Sequence, residues 1–156
     1  LAPAAFGQGA EKFVRARMSG DQEAPAVSAG ASGEFRAMIN PADTQRTSQL
    51  QYSGLEGTVI QARIHLGARG ANGGVSIFLC GSPASPGPPG TPTCPQEGSV
   101  SRTVTAADVI GPSGQGIAPG EPAEIPRARR AGASYANVHT TKWPGGEIRG
   151  QIQEEN

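Results

Sequence analysis

The residues best suited to chemistry cluster near the end of the chain, where Asn137, His139, Glu147 and Arg149 occupy a stretch that reads as two short strands. Alternation over Tyr135 to Thr140 and over Glu147 to Ile152 places these four on one face. Val138, Ile148, Gly150 and Ile152 lie on the other, around a Lys142-Trp-Pro-Gly-Gly146 turn. The second of the chain's 2 histidines, His65, sits on the polar face of another alternating run with Gln61 and Arg63. If the two runs are neighbours, both imidazoles meet beside Asn137 or Glu147. His65, His139 and Glu147 would then form the minimum donor set for copper or zinc. The favoured reading is simpler: each imidazole bonds a backbone carbonyl or a carboxylate and orders a strand end. Glu147 and Arg149 are read as part of a carboxylate–guanidinium ladder with Arg63 or Glu34 on adjacent strands. Catalysis by acyl transfer needs a nucleophile poised beside a base. Ser134, Thr140 and Thr141 stand in no such pattern, so no enzyme, catalytic residue or cofactor is expected.

The remaining motifs support binding and architecture. Cys80 and Cys94 bracket a Pro/Gly/Ser-rich segment with no further thiolate or imidazole nearby, which favours a disulfide over a metal pair. A disulfide implies an oxidising compartment. Gly67-x-x-Gly70-x-x-Gly73-Gly74 lacks the Gly-Lys-Ser/Thr ending of a phosphate loop and reads as a hairpin loop. Arg127, Arg129 and Arg130 form a basic cluster that is either a solvated face or a dock for an acidic partner. Trp143 at its turn tip is either an exposed contact or a lid folded onto the core.

These residues need strands to position them, and the sequence supplies about eight. Runs begin at Lys12, Gly33, Leu50, Thr58, Val75 and Gly98, followed by the closing pair. Gly and Pro, 23 and 14 in number, punctuate them. Thr105-Ala-Ala-Asp108 has the form of a helix start, and residues 123–131 suggest one short helix with Pro126 in its first turn. The expected fold is all-β, an antiparallel Greek-key sandwich or barrel of the immunoglobulin or superoxide-dismutase kind, with one or two short helical turns. The domain spans 13–153, after an arm at 1–12 and before a tail at 154–156. Thirteen basic and 13 acidic residues cancel, and aromatics make up 4%. That balance argues against nucleic acid and against a polybasic membrane surface. No apolar run approaches the roughly 18 residues of a membrane span. The opening Leu1-Ala-Pro-Ala-Ala-Phe6 is read as the trace of a processed secretory leader.

Four segments, in order, resemble the CHRD family, the domain repeated in chordin. They are Met18-Ser-Gly-Asp-Gln-Glu-Ala-Pro-Ala-Val27, Ala62-Arg-Ile-His65-x-Gly67-x-x-Gly70, Thr103-Val-Thr-Ala-Ala-Asp108, and Ala131-Gly-x-x-Tyr135-x-Asn137-Val-His-Thr140 leading to Gly145-Gly-Glu-Ile-Arg-Gly-Gln151. Arg63 stands where the family has a first histidine, and Ala26 where it has a second proline. The resemblance implies a secreted or periplasmic all-β domain with no established enzymatic activity, which in animals accompanies growth-factor binding. A weaker likeness to copper/zinc superoxide dismutase, an enzyme with many more histidines, bears on architecture alone. The expectation is a non-enzymatic exported interaction module or structural subunit of an extracellular or envelope assembly. Its protein partner would meet Trp143, Arg127, Arg129 and Arg130, the N-terminal arm or the Cys80–Cys94 loop. The alternative is a copper- or zinc-binding periplasmic protein.

Overall fold

A computed structural model describes residues 9–121 and 123–155. Alternating runs become strands because one face of each is apolar and must be buried. The strands are β1 (Lys12–Ser19), β2 (Ser32–Ile39), β3 (Gln45–Ser53), β4 (Val59–Leu66), β5 (Val75–Cys80), β6 (Gly98–Thr105), β7 (Ser134–Thr140), β8 (Ile148–Gln151) and the short β9 (Gln153–Glu154). Every ladder is antiparallel. The order is β5-β4-β7-β8-β1-β2-β3-β6, with β9 added to β1. Pairing of β7 with β4 over the long connection is a Greek-key crossing.

The two end strands, β5 and β6, approach without a ladder. Their seam is bridged by the buried guanidinium of Arg102 on β6, which donates to the Phe78 carbonyl of β5 and to Asp108 Oδ1 at 2.9 Å. The result is the expected eight-stranded, nearly closed Greek-key barrel. Phe35, Leu50, Tyr52, Val138 and Ile148 fill its main core. A second cluster of Ile77, Val104, Val109 and Ile117 lies against Ile64, Leu66 and Ile125, on the helix α1 (Glu124–Arg130). An apolar cavity of about 60 Å³ is lined by residues of both clusters. Polar side chains reach its wall only at a few points, among them Ser48, His65 and Ser76.

The boundaries differ from expectation in two places. β3 starts five residues before Leu50, because its inward positions Arg46 and Ser48 are polar and mask the alternation. Each has a partner: Arg46 Nη2 donates to Asp43 Oδ1 at 2.8 Å, and Ser48 Oγ donates to the Arg102 carbonyl at 3.1 Å. The second is the start of the tail, where Glu154 pairs opposite Val14 and Glu155 N donates to the Phe13 carbonyl. Most of the N-terminal arm, residues 1–8, lies outside the described residues. Pro126 occupies the first turn of α1, where its missing N–H costs nothing, and Gly132 at φ +68° ends the helix.

Cys80 and Cys94 form a disulfide with a sequence separation of 14. Beside it, Gly81 N donates to the Pro92 carbonyl and Cys94 N to the Gly81 carbonyl, both at 2.8 Å. The Pro-rich loop between them is thus closed at its base. Closing a loop of this size restricts the unfolded chain by about 3 kcal/mol. A Cys80→Ser/Cys94→Ser variant is expected to lose about that much stability in urea unfolding while keeping its β-type circular dichroism.

Candidate functional site

The sequence places a polar row on the outward face of β4, β7 and β8, and these three strands are indeed consecutive in the sheet. The row is not exposed. His65, His139 and Arg149 are 5%, 3% and 1% accessible, and Asn137 is buried with them. Loops fold over this face and form a second, polar interior outside the barrel.

Arg149 holds the first of these loops, residues 67–74. Its Nη2 donates to the Ala68 carbonyl at 3.0 Å and the Ala71 carbonyl at 2.9 Å, and its Nη1 approaches Asn72 Oδ1 at 3.4 Å. The guanidinium carbon lies 3.4 Å from the centroid of the Tyr135 ring. His65 stacks on Tyr135 with centroids 4.8 Å apart and planes 2° from parallel. The Tyr135 hydroxyl accepts from Gly73 N at 3.0 Å, and His65 Nδ1 donates to the Gly73 carbonyl at 2.9 Å. Gly73 must be glycine, since a Cβ there would collide with the Leu66 carbonyl. Asn72 Nδ2 donates to the Ala24 carbonyl at 2.6 Å and so joins this loop to the 20–27 segment.

His139 orders its own turn. Its Nδ1 faces the Pro144 carbonyl at 2.7 Å, while its Nε2 meets Arg63 Nη2 at 3.2 Å and Asn137 Oδ1 at 2.9 Å. A neutral ring has one proton for these two oxygens. The shorter contact takes it, and Nε2 then accepts from Arg63. A second proton is opposed by burial and by the Arg63 charge, which hold the His139 pKa down to about 3. His65 is pushed down to about 4, chiefly by burial. Its Nε2, and Arg63 Nε, are buried without a hydrogen-bond partner.

Glu147 does not join the histidines. The alternation breaks at Gly146, whose φ is +125°, and β8 begins only at Ile148. The Glu147 carboxylate therefore turns to the barrel end. There it accepts from Glu56 N at 2.9 Å, Gly57 N at 3.2 Å and Thr140 Oγ1 at 3.0 Å. The expected ladder of Glu147 and Arg149 with Arg63 or Glu34 is absent among the described residues, because both charges are used by loop backbone. In place of Glu147, the carboxylate beside Asn137 is Glu23, which the sequence reading did not single out. Burial raises its pKa to about 7, against the lowering pull of Arg149 and a hydrogen bond with Asn137. A Cβ on Gly146 would overlap the Glu23 carboxylate, so this turn needs glycine twice over. The one sequence signal for Glu23 was its place in the Gln-Glu-Ala-Pro segment, and for Tyr135 its place two residues before Asn137.

The two imidazole centroids are 5.8 Å apart. Among the described residues no three His, Cys, Asp or Glu side chains gather as a metal ion would need. Two imidazoles and a neutral amide remain, with a guanidinium donating to one of the two lone pairs. That set does not suit a divalent cation while Arg63 stays in place.

The three arginines of the basic cluster differ in their surroundings. Arg129 is no surface contact: its side chain is 5% exposed, donates to Asp43 Oδ1 and Oδ2 at 3.2 Å each, and reaches Glu154 at 2.9 Å. An arginine placed between two carboxylates gains more from the fork geometry than from solvent. Arg127 is exposed and pairs with Glu124 at 3.0 Å, and Arg130 is exposed. Trp143 is half-buried, with Lys142 Nζ 4.6 Å from its ring centroid.

The family model described as CHRD domain matches residues 14–152. The chain belongs to the CHRD domain family. Its polar row is therefore the interior of a CHRD domain, with Arg63 at the position of the resemblance's first histidine. No curated protein and no solved structure matches the chain.

Two outcomes test this geometry. Lysine in place of Arg149 cannot bridge two carbonyls and a ring face together. Arg149→Lys is expected to cost about 2 kcal/mol or more in urea unfolding, and trypsin should cut after Arg69 faster than in the parent. The pH response follows from the shifted groups. Both histidines have depressed folded pKa values, so their stabilising effect is present above the unfolded value near 6.5 and is lost as pH falls toward 4 and 3. Glu23 has a raised folded pKa, so its effect runs the other way, stabilising below 4.5 and fading as pH rises through 7. Two groups oppose one, leaving a net loss of about 1.4 kcal/mol per pH unit on acidification from about 6.5 to 4.5. The melting temperature should fall over that window, and His139→Gln should flatten the fall.

Proposed function

We propose that this CHRD domain is a non-enzymatic, exported interaction module or structural subunit of an extracellular or cell-envelope assembly. The observation that supports the reading most directly is how the chemically capable side chains are used. Arg149, His65, His139 and Glu147 each bond the backbone of a loop, and Glu23 wedges under the Gly146 turn. A general base within reach of a nucleophile would be needed for acid–base or covalent catalysis. Here the ring nitrogens are committed to carbonyls or face arginine and amide, and no hydroxyl bonds either histidine among the described residues. Such a core is suited to hold loops rigid and to present what lies on them. The disulfide at the base of the Pro-rich loop supports an oxidising compartment.

A copper- or zinc-binding alternative draws on one observation, the unpartnered and buried Nε2 of His65 facing a second imidazole. It requires Arg63 to leave the lone pair of His139.

Fractionation of the tagged, full-length protein in its own cells, with thiol titration and elemental analysis of the purified material, tests both readings. The module reading expects protein in the envelope or medium, no free thiol, covalent conjugates after in situ cross-linking, and no stoichiometric metal. Cytosolic protein with two free thiols would contradict it. One equivalent of copper or zinc, lost in His139→Ala, would replace it with the alternative.

A further inference from the structure

A groove of about 830 Å³ runs over the outer face of β1 and β2, beside the 67–74 loop. Its walls carry four arginines, Arg15 and Arg17 from β1, Arg36 from β2 and Arg69 from the loop, against two carboxylates, Glu154 and Glu155. Arg15 and Arg36 are directly opposite in the ladder, a like-charge pair that weakens a sheet. Their compensation within the chain is partial. Glu34 bonds Arg36 at 2.6 Å, and Glu155 is a loose 3.8 Å from Arg15. Glu154 is drawn away to Arg129. Arg17 and Arg69 are exposed, and among the described residues neither has a carboxylate in ion-pair range. Arg69 is also held in place, because Arg149 bonds the carbonyls of Ala68 and Ala71 on either side of it.

We propose that this groove binds an acidic polysaccharide of the polyuronate class. Guanidinium forks match carboxylates, and the glutamines beside them offer acceptors for hydroxyl groups. The amide nitrogens of Gln22 and Gln151 are committed to the Arg17 carbonyl and to the carbonyls of Gly67 and Gly132. Their amide oxygens remain available. The groove is lined by charged and amide side chains alone, without an aromatic or aliphatic residue. Peptide partners draw most of their affinity from buried aromatic and apolar anchors, and this groove has no pocket for one. A polyuronate needs none, since it brings carboxylates and hydroxyls at every unit. The buried polar row thus acquires a use: it fixes the loop that brings Arg69 to the groove wall.

The proposal rests on the reading of the chain as a binding module, and it is tested with the full chain and fluorescein-labelled oligogalacturonate. Anisotropy should report binding at about 10 mM salt that weakens strongly by about 150 mM. Arg17→Gln/Arg69→Gln should weaken it by roughly tenfold or more, with an unchanged melting temperature, whereas Arg127→Gln, at an exposed arginine outside the groove lining, should bind like the parent. Unlabelled polygalacturonate should compete, and neutral dextran should not. Absence of binding at low salt, or a double variant that binds like the parent, would overturn the proposal. So would polyglutamate competing as well as polygalacturonate at matched charge, which would assign the groove to acidic peptides. A chain that fails here yet still forms envelope cross-links loses only the groove; one found in the cytosol with free thiols loses the module reading itself.

Discussion

The second interior of this domain depends on the guanidinium of Arg149, buried outside the barrel and, among the described residues, bonded to no carboxylate, with Glu23 acting on it through charge alone. Taking such a charge from water costs several kcal/mol unless its donors are satisfied. Here carbonyl oxygens of the 67–74 loop and the face of Tyr135 receive it. The loop in return is fixed at Ala68 and Ala71, tied at Gly73 by His65 and Tyr135, and at Asn72 by the 20–27 segment. Remove the guanidinium and the Ala68 and Ala71 carbonyls lose the donor that fixes them. A cation is thus used as a fastener for backbone, which is why a long, Gly-rich loop can be both irregular and ordered.

The same logic repeats around the barrel with different chemistry. Glu147 is an anion that fastens the Glu56–Gly57 backbone, and His139 a neutral ring that fastens its own turn at Pro144. Arg102 fastens the seam between β5 and β6, where the ladder is missing, and Arg129 fastens the tail and the β2–β3 turn through Glu154 and Asp43. In a chain with few aromatics, 23 Gly and 14 Pro, irregular backbone is abundant and must be satisfied. Polar side chains do this from the strands, as Arg149, His139 and Arg102 do, from the turn before β8, as Glu147 does, and from α1, as Arg129 does. The arrangement leaves Arg63 as the exception: among the described residues its Nε has no partner and its charge no carboxylate in ion-pair range, with Phe78 5.6 Å from its guanidinium carbon.

Much of the fold was legible because the barrel's inward rows are apolar at a period of two. The runs at β1, β2, β4 and β5 and the closing pair carry that signal in Val14, Phe35, Ala62, Ile77, Val138 and Ile148. It faltered where polar residues point inward, as Arg46 and Ser48 do on β3. The meeting of His65 and His139 was legible from the polar faces of two strands that prove to be neighbours. Glu147 was misassigned to that face because one left-handed glycine, Gly146, shifts the alternation by a residue, and such a shift has no mark in the hydropathy pattern. Glu23 lay in a turn segment 114 positions upstream of Asn137, and only the folded chain brings the two together. Burial of the whole polar row was equally out of reach, since nothing in a strand's own residues says which loop will cover it.

The polar row is a buried, hydrogen-bonded fastening whose imidazoles stay neutral while the domain is folded. With only two histidines in the chain, His65 and His139 can be followed by nitrogen NMR across a pH titration without ambiguity. Both rings should remain neutral, with the proton on Nδ1, from pH 7 down to about 5 while the protein stays folded. A ring that titrates near 6.5 in the folded protein, or that carries its proton on Nε2, would contradict the account.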